Sequence, residues 1–140
     1  MRALLMLLIA LCTTRTALGS DWQQVSVDED GYYFLDADSI QAVKGNSGMI
    51  QVWVKAMFED SDKLKNPDGH PYELNKIVAQ EIFDCTKSQY RMVQVISYDE
   101  TDTIQDSNYS KDPMKNITPN SNDEDAYKVA CNLWGQRKAG

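Results

Sequence analysis

Histidine and cysteine are scarce in this 140-residue chain, which has one histidine, His70, and three cysteines, Cys12, Cys85 and Cys131. A structural zinc site draws about four ligands from these residue types, so the shortage argues against one. A cysteine nucleophile wants a histidine base. His70 lies in "KNPDGHPYE", between prolines and a glycine in the composition of an exposed loop, and nothing in the sequence brings it to Cys85. Basic residues are also few, 14 against 21 acidic, for a formal charge of −7. Such a surface repels polyanions, which argues against nucleic acid as a partner. Lys55, Lys63, Lys65, Lys76, Lys87 and Lys111 are scattered and form no basic run. A glycine-rich phosphate loop, a serine elbow and a zinc signature are all missing. The acidic clusters "DEDG", "EDSD" and "NDED" read as solvated turns, and "DEDG" lacks the spaced oxygen ligands and closing glutamate of a calcium loop. The expectation is a non-enzymatic chain with no catalytic residue, no cofactor and no metal site.

Long hydrophobic runs are missing too, except at the start. "MRALLMLLIALCTTRTALGS" has a basic residue at Arg2, an apolar core from Ala3 to Leu11 and small residues at Ala17 and Gly19. That order describes a secretory signal peptide over residues 1–19, cut before Ser20. The apolar core is about half the roughly 20 residues that a membrane span needs, so no stable membrane insertion is expected. Lipidation at Cys12 is the rival reading, and it is weakened by Leu11, which stands where a small residue should precede the cysteine. Cutting before Ser20 also removes Arg2 and Arg15. The remaining charge is 12 − 21 = −9.

What remains, residues 20–140, is the size of one domain. It holds Cys85 and Cys131 in a chain bound for an oxidising compartment, where two thiols allow one intramolecular pairing. A Cys85–Cys131 disulfide is expected, with free thiols or an intermolecular link as the alternatives.

Strand patterning dominates from Trp22. "WQQVSV" and "YYFLD" flank Asp30-Gly31, a hairpin dipeptide, so the two runs should pair. "DADSI" reads as a turn or helical turn, and "QAVKGNSGMIQVWVKAMF" as two strands about a glycine turn at Gly45 to Gly48. Ile50, Val52, Val54, Ala56 and Phe58 alternate with Gln51 and Lys55, the period of a half-buried strand. "NKIVAQEIFDC" and "YRMVQVISYD" read as further strands, followed by a short one at "TIQDS" and the polar connection "NYSKDPMKNITP". Asn108-Tyr109-Ser110 and Asn116-Ile117-Thr118 match the glycan acceptor pattern, which acts only in a eukaryotic secretory pathway. The period then changes. "SNDEDAYKVACNLWG" opens with a capping box, Ser121 and Glu124, and crowds acids into the first turn of a helix. Tyr127, Ala130, Cys131 and Trp134 share one stripe, which turns Cys131 toward the sheet, and Gly135 is expected to end the helix.

The order of these features resembles the bacterial surface-adhesin protein E family. The resemblance rests on Trp22 and Val25, "GYYFLDADSI", "VWVK", Asp84-Cys85 with Tyr90-Arg91, Ser97-Tyr98-Asp99, "ITPNS" from Ile117 to Ser121, and Cys131. The chain departs from the family pattern at Asp102, where a glycine is usual after Tyr98-Asp99, and at Met114, where an aromatic residue is usual. The resemblance implies an α+β fold, with an antiparallel sheet of about six strands and a C-terminal helix packed on it through one disulfide. It also implies export, with the best-known members displayed at the bacterial surface and binding host extracellular-matrix or serum proteins.

The functional expectation is therefore an exported binding module of the cell envelope, with a periplasmic structural or accessory protein as the alternative. The segment from Glu59 to Tyr72, rich in charge, proline and glycine, is the expected partner-contact loop, with Lys63, Lys65, His70 and Tyr72 as its contact residues. Exposed sheet edges offer a second route, to a protein partner or to a homodimer.

Overall fold

The computed structural model describes residues 19–59 and 74–140. The signal-peptide reading of residues 1–19 falls almost wholly outside the described residues, and so do Lys63, Lys65, His70 and Tyr72.

The described chain forms an antiparallel sheet and one helix. The strands are β1 (Trp22–Val27), β2 (Gly31–Asp36), β3 (Gln41–Val43), β4 (Asn46–Phe58), β5 (Leu74–Asp84), β6 (Gln89–Asp99), β7 (Ile104–Tyr109) and β8 (Lys115–Asn116), and the helix is α1 (Asn122–Ala139). The main path runs β1-β2-β4-β5-β6-β7. Two short strands fill gaps beside longer neighbours: β3 pairs with the start of β4, and β8 with the start of β6. A 3-10 turn at Ala37–Ser39, capped by the Asp36 side chain, carries the chain from β2 to β3, which borders the same long strand.

Hairpin chemistry matches the sequence pattern at the first turn. Asp28 Oδ1 accepts from the Asp30 and Gly31 backbone N–H groups at 2.9 and 3.1 Å. Gly31 opens β2 against Met57, and a Cβ there would sit 2.0 Å from the Met57 carbonyl oxygen, so only glycine allows the close approach. The β3–β4 turn is shorter than expected, because β4 already begins at Asn46 after Gly45, whose φ is +82°. Asp102, at the family's glycine position, has a φ of +61°, the left-handed conformation that aspartate tolerates better than most residues. β8 was not anticipated within the polar connection, since two residues are too few for an alternating pattern to register.

The core lies between one sheet face and the helix. Leu35, Ile50, Val52 and Phe83 are fully buried, and Ala126 and Ala130 face them from α1. Tyr127, Cys131, Leu133 and Trp134 pack around this cluster. Ser121 accepts from the Glu124 N–H at 3.2 Å, and Glu124 Oε2 accepts from the Asn120 N–H at 2.8 Å, which makes the expected cap. Gly135 does not end the helix, which continues to Ala139. Its last turn is held by tertiary contacts, as Arg137 donates to the Ala37 and Ile40 carbonyls at 2.8 and 3.2 Å and Lys138 to the Ser47 carbonyl at 3.0 Å. Cys85, just past β5, is bonded to Cys131 across a separation of 46 residues. Closing a loop of that length stabilises by about 4 kcal/mol in the chain-entropy treatment.

Candidate functional site: a buried acid in an apolar cavity

Along β5 the residues facing the helix are Ile77, Ala79, Glu81 and Phe83. Register sets this face: Phe83 lies opposite Ile50, and Glu81 opposite Val52 and Met92. Glu81 is therefore the polar residue among these apolar positions, and it is only 2% exposed. The β5–β6 ladder shifts register between Gln80 and Glu81, giving β6 an extra residue, Val93, beside this point. A second shift in the β1–β2 ladder sets Val25 out of register. Bulges of this kind re-aim side chains and often border sites.

Between this face and the first turn of α1 lies a cavity of about 210 Å³. Its apolar lining includes Val25, Val54, Phe58, Ile77, Met92 and Ala126, and its polar members are Tyr33, Lys55, Glu81, Asn122 and Asp123. The helix terminus is tied over it, since Ser26 Oγ donates to Asn122 Oδ1 at 2.8 Å and Asn122 Nδ2 donates to Asp28 Oδ2 at 2.8 Å. Glu81 Oε2 is buried without a hydrogen-bond partner. Burial, followed by the neighbouring Asp123 carboxylate, pushes Glu81 up to about 8, and Lys115 offsets this in part. Tyr90 is likewise raised, by burial and then by Asp123. Asp28 is lowered, chiefly by the hydrogen bond from Asn122.

The opposite sheet face is different in kind. Lys55 stands 4.3 Å over the Trp22 ring and 4.9 Å from the Phe34 centroid, and Lys76 stands 4.7 Å over Tyr98 while pairing with Asp102. At the sheet edge all six residues of β7 are exposed, with Ile104 at 56% and Tyr109 at 74%. The Ser107 N–H on this strand is taken by the Asp106 carboxylate at 2.9 Å, and Asn108 also donates to Asp106, at 2.6 Å.

Glu81 did not figure among the candidate residues read from the sequence. The signal is present in "NKIVAQEIFDC": strand alternation puts Ile77, Ala79 and Phe83 on one face, and Glu81 shares their period. Among the described residues, no group of three His, Cys, Asp or Glu side chains is gathered to hold a metal ion. No described helix is long and apolar enough to cross a membrane.

A disulfide-pinned helix on an antiparallel sheet, with an exposed edge strand and one closed-in acid, defines a small α+β domain. The sequence profile of the family "Surface-adhesin protein E" matches residues 22–132, and the chain belongs to that family. Solved structures of protein E from Haemophilus influenzae share its fold. One is 16% identical with a TM-score of 0.58, covering 86% of this chain and 91% of that chain. The protein from a non-typeable strain is 16% identical with a TM-score of 0.54, covering 86% of this chain and 82% of that one. A second crystal form is 15% identical with a TM-score of 0.53, covering 74% and 82%. No curated relative matches the chain.

Proposed function

We propose that this protein is an exported, non-enzymatic surface adhesin whose domain, residues 20–140, contacts host extracellular-matrix or serum proteins after removal of the leader at residues 1–19. The family match over residues 22–132 carries the reading. The contact surface is the β7 edge, exposed throughout and presenting Ile104 and Tyr109, together with the segment that bears Lys63, Lys65, His70 and Tyr72. Side chains supply more of this contact than backbone pairing does, because Asp106 occupies the Ser107 N–H that an added strand would use.

The test pairs surface labelling of intact cells with titration of the mature domain onto immobilised matrix and serum proteins. Surface exposure and saturable binding are expected, with binding lowered at least tenfold in an Ile104→Asp, Tyr109→Asp double variant or on deletion of residues 60–73. Saturable binding that neither change weakens removes the contact assignment. Release from the periplasm with no surface labelling and no saturable binding overturns adhesion in favour of a periplasmic accessory protein. The same edge can receive a second copy of the chain, and sedimentation of the mature domain would then show a dimer that the double variant dissociates.

A further inference from the structure

The apolar cavity beneath the first turn of α1 has a geometry that adhesion at the sheet edge does not use. We infer that it is a binding site for a primary ammonium group carried on an unbranched apolar chain, with Glu81 as the counter-ion. The inference is independent of the adhesin reading.

Three features define the ligand. The walls are hydrocarbon: Val54, Ala56, Phe58 and Ile77 from the central strands, Val25 from β1 and Met92 from β6. A cavity of about 210 Å³ accommodates an aliphatic chain of several carbons. The polar end is acidic. Glu81 is buried with Oε2 unpartnered, and Asp123 lines the same cavity from α1. A buried carboxyl group without a partner is costly, and a cation placed against it satisfies the acceptor while relieving the repulsion between Glu81 and Asp123. An anionic ligand would meet both acids, in a chain whose formal charge is −7.

The charged and titratable groups around Glu81 and its cavity are Asp123 on α1, Tyr90 on β6, Lys115 on β8, Tyr33 on β2 and Lys55 on β4, whose ammonium group stands over the Trp22 and Phe34 rings at 4.3 and 4.9 Å. Lys115 does not occupy the acid, for it stands 4.7 Å over the Tyr90 ring. Near neutral pH Glu81 is protonated, so binding proceeds by transfer of the Glu81 proton to solvent and formation of the ammonium–carboxylate pair. Affinity therefore rises with pH up to about 8, where the free protein's own acid ionises, and levels off above it.

The experiment is calorimetric titration of the intact mature protein with n-hexylammonium chloride at pH 6, 7.5 and 9, repeated in buffers of different ionisation enthalpy. n-Hexanol and sodium hexanoate serve as neutral and anionic counterparts, and Nα-acetyl-lysine methylamide as a peptide-like lysine. Hexylammonium is expected to bind saturably, with a roughly tenfold gain per pH unit below 8 and close to one proton released at pH 6. Hexanol should bind at least tenfold more weakly and hexanoate not at all. Glu81→Gln should lose both the affinity and the proton release, and chemical shifts of the Val54, Ile77 and Met92 methyl groups should report the bound chain in the parent protein. Binding of the free amine alone assigns a small metabolite-sized ligand, whereas equal binding of the lysine derivative assigns a lysine side chain of a partner. Hexanol binding as tightly as the amine, a pH-independent affinity, unchanged binding in Glu81→Gln, or no saturable binding would each overturn the inference.

Discussion

Glu81 occupies a strand position where period-2 alternation demands an apolar side chain, and Lys115 offsets the cost of its charge only in part. Its carboxyl group is raised to about 8 from the ordinary glutamate value of 4.5 because ionisation inside the sheet–helix interface has lost its water and faces Asp123. The sign of the effect on stability follows from proton binding. Between pH 4.5 and about 8 the folded chain holds a proton that the unfolded chain has lost, so this residue's contribution is present in full below 4.5 and is lost as pH rises toward 8. Glu81→Gln removes that dependence. The variant should gain stability at pH 8, on the order of 2–4 kcal/mol, and gain almost nothing at pH 4. Urea unfolding midpoints of both proteins at the two pH values measure this. An equal gain at both would mean that packing, and not protonation, is responsible.

The elements differ in how plainly they could be read. β4 and β5 were legible because alternation persists over many residues and both faces are committed, one to the core. α1 was legible at its start, where Ser121 and Glu124 form a local cap, and along its stripe, where Ala130 and Cys131 face the sheet. Its end was not, because that end depends on partners far away in sequence: Arg137 reaches the carbonyls of Ala37 and Ile40, and local propensity at Gly135 is overridden. The cavity was illegible for a related reason. It exists only where the β1 and β6 bulges and the helix terminus meet, and alternation along one strand contains none of that. Only the polar Glu81 on the apolar face of β5 pointed to it. Gly135 itself yields a prediction. Apart from its chain neighbours and its own helix backbone, nothing lies within 4 Å of where its Cβ would be, so Gly135→Ala costs no packing and removes the entropy that glycine loses in a helix interior. The variant should be more stable by about 0.5–1 kcal/mol, seen as a higher thermal midpoint with unchanged helix content; a fall would show that the position needs glycine for a contact of another kind.

At the scale of the whole molecule, five carboxyl groups among the described residues act on stability in two opposing directions with pH. Asp28, Asp84, Asp99 and Glu124 are all held below their ordinary values, chiefly by hydrogen bonds from Asn122, Thr86, Thr101 and the Asn120 backbone respectively. Each anchors a turn or a helix start, and each contributes stability that is present above its ordinary value and is lost as pH falls through its lowered one. Glu81 acts in the other direction, over the window from 4.5 to about 8. The excess of 21 acidic over 14 basic residues adds self-repulsion as pH rises. These terms cross just above the ordinary glutamate value, so thermal stability should peak near pH 4.5–5 rather than at neutrality. The Cys85–Cys131 bond does not titrate, so reduction should lower the whole curve by about 4 kcal/mol without moving the peak. Thermal unfolding from pH 3 to 9, of the oxidised and reduced protein and of Glu81→Gln, separates the contributions. The variant should keep the acid limb and lose most of the decline above pH 5, while a parent curve that stays flat from pH 5 to 8 would mean that the buried acid is already paired.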